Sequence, residues 1–478
     1  MKTNLYFLRI FVCFVIFSFV SVFAYSQHKD YEVKLWIHDF ADSTIYVRGA
    51  FGERTNLLLD SLKMKNDGSF ELKGNYRQGI VVVSSAKEDL FSFVLDKESK
   101  FEITIFPDGF YEVKGSIEND RYLEYQKMNK EYRLTLYQCN KGMKNHPESK
   151  DTLQKVASQA KLKFEKYQND FYKNYPENIM SVLVKAVTPP QMPSKYFDAR
   201  GEVKKETGLE YAYLYRTHYW DSFDFSDERI IGTPYFYKKF QTYIDQITMQ
   251  NADSVFSAFK SFVDLANSRN GELYSNYIIE LYLSKLPRLS FSFNEQLYVQ
   301  IVDSLLNDKY TPWLSMVEKE FHQTRIEEIR KFLPGKPFCD IMAQSSDGSM
   351  LRLYDLKSRY TVVFFWSAGC ETCKKGMHEL KEFYQQFKDR YDIKVFSVEM
   401  GGDIEKTRKE LAEIPADWVV LQANPEQIEK QYGLDISHTP EIYVLDGKKR
   451  VLNKTAVSAH IKAVIEQSET EFAKHRNN

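Results

Sequence analysis

The chain has 478 residues, 65 Lys and Arg against 66 Asp and Glu, and 43% hydrophobic residues. At roughly 100–200 residues per domain that length predicts several domains, and the balanced charge gives no electrostatic reason to expect nucleic acid or anionic lipid as a partner. With 20 Gly and 14 Pro the composition also excludes a disordered or collagenous chain. Lys2 and Arg9 precede an uncharged apolar run from Ile10 to Ala24, and Ala24-Tyr25-Ser26 supplies a small-x-small pattern before Gln27. Residues 1–26 therefore read as a cleaved secretory signal, the run falling short of the ~20 residues a membrane span needs. Cys13 lies early in the run, badly placed for bacterial lipidation. The expectation is a soluble protein outside the cytoplasm, periplasmic in a bacterium, with an uncleaved anchor as the weaker reading.

From Tyr31 to Val113 short alternating segments, such as Tyr31 to Ile37, Ser69 to Lys73 and Phe101 to Ile105, are punctuated by Asn66-Asp67-Gly68 and Pro107-Asp108-Gly109. That turn chemistry suits hairpins, so residues 28–117 predict a small antiparallel β-sandwich. From Asn119 apolar residues fall at helical spacing, as at Leu162, Tyr167 and Phe171, with breaks at Pro189-Pro190 and Pro193. Helical segments resume at Tyr235 to Ile247, Val255 to Leu265, Tyr274 to Leu286 and Tyr298 to Leu306, then a charged helix ends before Leu333-Pro334-Gly335-Lys336-Pro337. Residues 118–334 thus predict an all-α domain. Within it, His218 to Asp227 alternates Asp with aromatics, which invites a calcium or ligand reading; without EF-hand spacing or a Gly turn, helix capping and packing are its default roles.

Residues 335–478 change to a strand–helix rhythm, predicting an α/β domain with a mixed sheet and helices on both faces. Thr361 to Trp366 is a continuous apolar strand, as expected where both faces of a sheet are covered. A helix from Glu371 to Phe387 follows, then strands at Ile393 to Val398 and Trp418 to Leu421, a hairpin across Asp446-Gly447 and a final helix from Ser458 to Phe472.

Four cysteines remain beyond Cys13: Cys139, Cys339, Cys370 and Cys373. They are too few to staple so long a chain, so the close pair is judged as chemistry. Cys370-Glu371-Thr372-Cys373 follows a strand and opens a helix. Unpaired N–H groups and the macrodipole at a helix N-terminus favour a thiolate at the first cysteine, and a spacing of three brings the second sulfur within disulfide reach. Cys370 would attack and Cys373 resolve. Zinc is disfavoured, because His378 projects about 140° around the helix from Cys373 and no full ligand set accompanies it. A purely structural disulfide closing so small a loop would add little stability. Cys139 and Cys339 read as two unpaired thiols, with a bridge between them as the alternative.

From about Lys336 to Phe472 the sequence resembles a thioredoxin-fold domain of the TlpA/ResA-like thiol:disulfide oxidoreductases. Asp347-Gly348 and Leu353 to Leu356 resemble the family's lead-in hairpin, Val363 to Lys374 its active-site strand and helix, and Thr439-Pro440 its cis-proline. The resemblance implies that Pro440 faces the cysteine pair, that Thr439 and Pro440 pair with an extended substrate segment, and that Trp366 lies beside the disulfide as a third substrate-binding residue; ordinary core is the alternative for Trp366. It departs from the pattern in three places. Gly369 stands where Trp commonly precedes the first cysteine, Phe364 where thioredoxins carry a buried proton-transferring Asp, and Gly376 where many ResA-like proteins have Glu. Glu399, at the end of the strand after the active-site helix, is the substitute candidate for proton transfer, against a solvated strand-end carboxylate. His438 reads as an exposed loop histidine.

Glu371 should raise the pKa of Cys370 while Lys374 and Lys375 should lower it, and the balance stays open. Ser367 fits the Thr/Ser-x-x-Cys pattern of the neighbouring peroxiredoxins, but Val363 replaces their upstream Pro. The segments before residue 335 resemble, more loosely, modules of unknown function found ahead of thioredoxin domains in secreted bacterial proteins. The function expected is an extracytoplasmic thiol:disulfide oxidoreductase that needs no metal or organic cofactor. Its partners would be protein thiols and disulfides, with a membrane thiol relay as electron donor implied by the family. The alternative is an envelope binding or assembly protein with a non-catalytic redox domain.

Overall fold

The computed structural model describes residues 28–476 except 108–109, 199–201, 290, 346–348, 402–408, 411–413, 416, 437 and 456. The segment expected to be a secretory signal, with Cys13, and the turn residues Asp108-Gly109 and Asp347-Gly348 lie outside the described residues. β-Rich sheets come first, a helical region follows, and a sheet with helices on both faces ends the chain. The described residues pack as two compact units: those from 28 to 250 with 257–277, and 251–256 with those from 278 to 476.

In the first unit the strands are β1 (His28–Ile37), β2 (Thr44–Phe51), β3 (Arg54–Lys63), β4 (Ser69–Arg77), β5 (Gly79–Ser84), β6 (Asp89–Leu95), β7 (Lys100–Ile105) and β8 (Tyr111–Lys114). They form two four-stranded sheets, ordered β4-β1-β7-β8 and β3-β2-β5-β6. Alternation decides the core: Tyr31, Val33 and Leu35 of β1 bury against Ile45, Val47, Val81 and Phe93 of the other sheet. Two details differ from a sandwich of simple hairpins. β1 and β7 pair in parallel, from Glu32 with Lys100 to Ile37 with Ile105, because β7 returns beside β1 only after the chain has crossed to the other sheet. The turn at Asn66-Asp67-Gly68 closes locally, with the Gly68 N–H on the Lys65 carbonyl at 2.9 Å, yet its strands join different sheets. Burial of Phe70 and Leu72 draws β4 onto β1, while the largely exposed β3 pairs with β2.

The helices that follow are α1 (Ile117–Asn145), α2 (Lys150–Asn174), α3 (Ile179–Val187), α4 (Gly208–Thr217), α5 (Pro234–Thr242), α6 (Ala252–Ser268) and α7 (Glu272–Lys285). The boundary between the units falls within α6 and α7. Ser116 caps α1, its hydroxyl accepting the Asn119 N–H at 3.1 Å. α1 and α2 meet through aromatic rings: Tyr125 lies 5.4 Å from Phe171 and Tyr132 lies 4.7 Å from Phe164. The packed face of α2 is therefore Phe164, Tyr167 and Phe171; Leu162, assigned to it from spacing, is 66% exposed. Between residues 218 and 227 the aromatics Trp220, Phe223 and Phe225 are core, and Asp227 caps the turn by accepting the Arg229 N–H at 3.1 Å.

The second unit carries α8 (Ser292–Leu305), α9 (Met316–Arg330), β9 (Met342–Ser345), β10 (Met350–Arg352), β11 (Tyr360–Trp366), α10 (Glu371–Tyr391), β12 (Ile393–Glu399), β13 (Val419–Gln422), α11 (Pro425–Tyr432), β14 (Glu441–Asp446), β15 (Val451–Thr455) and α12 (His460–Arg476). Its seven-stranded sheet runs β10-β9-β13-β12-β11-β14-β15, with β11 parallel to β12 and antiparallel to β14. Every residue of β11 is buried, as its unbroken apolar run requires. Val362, Phe364 and Trp366 pack with Leu380, Ile461 and Ile465 on one face; Val363 and Phe365 pack with Ile428, Phe338 and Tyr443 on the other.

His322 of α9 makes a pH-dependent contribution here. Its Nδ1 lies 2.6 Å from the Tyr298 hydroxyl, and burial pushes the imidazole down to about 4. The unfolded chain, with histidine near 6.5, binds that proton first, so this stability is complete above about pH 6.5 and is lost as pH falls toward 4. Urea unfolding at pH 4.5 and 7 should show about 2 kcal/mol more acid loss in the wild type than in His322→Phe. Equal losses in the two proteins would contradict the assignment.

Candidate functional site

The turn Ser367-Ala-Gly-Cys370 carries the chain from the end of β11 into α10, with Gly369 at φ +81°, a left-handed conformation that glycine enters without strain. Cys370 is the N-cap of α10, and the structure joins it to Cys373 in a disulfide with Cα atoms 5.2 Å apart. The Cys373 N–H donates to the Cys370 sulfur at 3.2 Å, and the Thr372 hydroxyl lies 3.1 Å from the same atom. Burial separates the two sulfurs: Cys370 is partly exposed, whereas Cys373 is enclosed among Trp366, Met377 and Leu380.

Opposite the pair, the peptide bond between Thr439 and Pro440 is cis. The Thr439 carbonyl oxygen lies 3.7 Å from the Cys370 sulfur, and its hydroxyl donates to Ser367 Oγ at 3.2 Å. Cys370, Cys373, Thr439 and Pro440 are thus brought together from two segments some seventy residues apart in the chain. His438 is exposed.

Trp366 requires a correction. It is fully buried, with its indole N–H on Ser397 Oγ at 2.8 Å, so it has no surface to offer a substrate and acts from within the core behind Cys373. Glu399 is also buried rather than solvated. It pairs in register with Trp366 on the neighbouring strand, and its carboxylate accepts from the Ala368 N–H at 3.4 Å and the Gly401 N–H at 3.3 Å. Period-two alternation puts it on the face of β12 that carries Ile393, Val395 and Ser397, the face packed against α10. Phe364, where an acidic group was missed in the sequence, is fully buried among the apolar residues of that same face. Gly376 is buried too, its carbonyl accepting the Ser458 hydroxyl at 2.6 Å.

The sequence left open which charges govern Cys370. Lys374 is taken up by carboxylates, 3.4 Å from Glu371 and 3.6 Å from Glu410, and the hydrogen bond to Glu371 holds its ammonium above the ordinary lysine range. Lys375 turns to Glu379 at 4.0 Å. A thiolate at Cys370 would therefore draw on the N–H groups of α10 rather than on lysine charge. Glu410 was missed by the sequence reading: its carboxylate accepts the Gly369 N–H at 3.2 Å, and no local signal links the two across forty-one positions. His378 faces solvent beside Glu382 at 3.5 Å. Cys139 and Cys339 are both free, and burial pushes the Cys339 thiol up to about 12.

Residues 334–454 match the AhpC/TSA family, and residues 202–332 match a domain of unknown function, DUF5106. The C-terminal domain is thioredoxin-like. Among solved structures, a thioredoxin-like protein from Bacteroides caccae is similar at 20% identity, covering 58% of this chain and 97% of its own, with a TM-score of 0.47. The thioredoxin domain of a thiol-disulfide oxidoreductase from Bacteroides vulgatus is 22% identical, covering 28% of this chain and 97% of its own, with a TM-score of 0.26. A thiol:disulfide interchange protein from a Bacteroides species is 22% identical, covering 29% and 90%, with a TM-score of 0.26. No match was found among curated proteins. The thioredoxin-like domain has the cysteine pair at the N-terminus of α10 and the cis-proline on the loop before β14.

Proposed function

We propose that this protein exchanges disulfides with protein substrates outside the cytoplasm, Cys370 attacking and Cys373 resolving. The observation that carries the reading is the asymmetry of the pair: a partly exposed sulfur at the N-cap of α10, 3.7 Å from the Thr439 carbonyl, over a buried partner. The AhpC/TSA match and the resemblance to disulfide oxidoreductases support redox chemistry. In the reducing direction the Cys370 thiolate attacks a substrate disulfide, forming a mixed disulfide and expelling one substrate thiolate. Cys373 then gives up its proton, for which Glu399 is the proposed acceptor, and attacks Cys370 sulfur. The second substrate thiolate leaves, and the two electrons the substrate gains are those the protein pair loses.

Thr439 and Pro440 would hold the substrate strand by backbone pairing. Nothing in these steps calls for a metal or organic cofactor. Location outside the cytoplasm rests on the basic and apolar pattern of residues 1–26; no helix among the described residues is long and apolar enough to cross a membrane. A membrane thiol relay would then supply electrons. Equilibrating the protein in defined thiol buffers and reading the pair by alkylation mass shift tests the proposal. A reversible two-electron couple is expected; near about −270 mV it marks a reductant, near about −120 mV an oxidant. A pair that never equilibrates would leave the binding role of the preceding domains as the function to pursue.

A further inference from the structure

Ser292 and Glu295 of α8 belong to the segment that matches the domain of unknown function, yet both reach the edge of the thioredoxin-like sheet. Ser292 Oγ accepts the Lys454 N–H of the outer strand β15 at 2.7 Å. Lys454 Nζ donates to Glu295 Oε1 at 2.7 Å and lies 3.1 Å from Glu441 Oε1, which also accepts the Tyr443 hydroxyl at 2.9 Å. The cluster is nearly dry: the side chains of Lys454, Glu295 and Glu441 are 9%, 10% and 2% exposed.

Two carboxylates around one ammonium in such a place are a poor device for stability, since apolar side chains of similar volume usually serve as well or better. What the cluster does fix is position. Glu441 directly follows Pro440, and the residue before Pro440 sets its carbonyl against Cys370 and its hydroxyl against Ser367. Charged hydrogen bonds restrict Glu441 far more tightly in direction than apolar contact would.

We propose that Glu295 is a positioning residue of the thiol site. It holds Lys454, Lys454 holds Glu441, and Glu441 fixes the segment 439–441 on which an extended substrate pairs. This assigns the end of the domain of unknown function a part in substrate binding by the redox domain. The inference rests on the disulfide-exchange reading above.

The test uses the full chain and insulin as the disulfide substrate, with kcat and KM measured for wild type and Glu295→Gln, and Cys370 acidity followed by alkylation rate against pH. Glu295→Gln should raise KM about tenfold, within the range by which residues remote from a site modulate it, with kcat and the Cys370 pH profile unchanged. A second variant guards against misfolding: Glu295→Leu, Lys454→Met and Glu441→Leu together remove every charge of the cluster and should fold, yet carry the same raised KM. Wild-type KM in either folded variant overturns the inference. Absence of exchange by the wild type itself would instead remove the functional reading on which it rests.

Discussion

Cys370→Ser protein should retain less than about one thousandth of the wild-type exchange rate while keeping its fold. A serine hydroxyl stays protonated near neutral pH, and the N–H groups of α10 that favour a thiolate cannot lower an alcohol far enough to ionise it. Cys373→Ala should behave in the opposite way. Its Cys370 remains a nucleophile, but the internal thiol that would release the mixed disulfide is gone, so covalent adducts with substrate proteins accumulate. Mass spectrometry of alkylated, non-reduced protein reads both outcomes. Full activity in Cys370→Ser, or an absence of adducts in Cys373→Ala at every redox setting, would sink the proposed mechanism.

The second large effect is expected at Glu399. Cys373 is fully buried, and burial disfavours its thiolate, so a proton acceptor has to be supplied from the protein or by entering water. β11 offers Phe364 where an acid would serve, and the buried carboxylate of Glu399 stands on the same face of the adjacent strand. Glu399→Gln keeps the shape and an acceptor for the Ala368 N–H but loses the basic oxygen. Resolution of the mixed disulfide should slow by about 100-fold, the low end of what a positioned base contributes, with the initial attack by Cys370 unchanged. Stopped-flow single turnovers separate the two steps. If both proceed at wild-type rates in Glu399→Gln, the proton leaves by another path.

The thioredoxin-like domain was legible because its signals are local. An unbroken apolar run announces β11, a Cys-x-x-Cys pair opens α10, and Asp446-Gly447 turns β14 into β15, each within a few residues. Pairings that depend on distant segments carried no such signal. Glu410 against Gly369, Glu295 against Lys454 and the parallel course of β1 beside β7 are all products of chain return. Helical spacing in α2 put Leu162 on the packed face with Tyr167 and Phe171, whereas contact with Tyr125 and Tyr132 of α1 puts Phe164 there instead. For the same reason the sequence left Trp366 between a substrate contact beside the disulfide and ordinary core, and its packing behind Cys373 decides for the core.

The enclosure of Cys373 has a kinetic meaning. With one sulfur of the disulfide open to solvent and the other walled in by Trp366, Met377 and Leu380, any incoming thiolate has a single point of entry, Cys370. On the proposed reading, the electron donor and the protein substrate must both use that sulfur and the same cis-proline loop. They therefore cannot engage together; each has to depart before the other arrives, so the protein works as a shuttle that alternates between two correspondents and never bridges them.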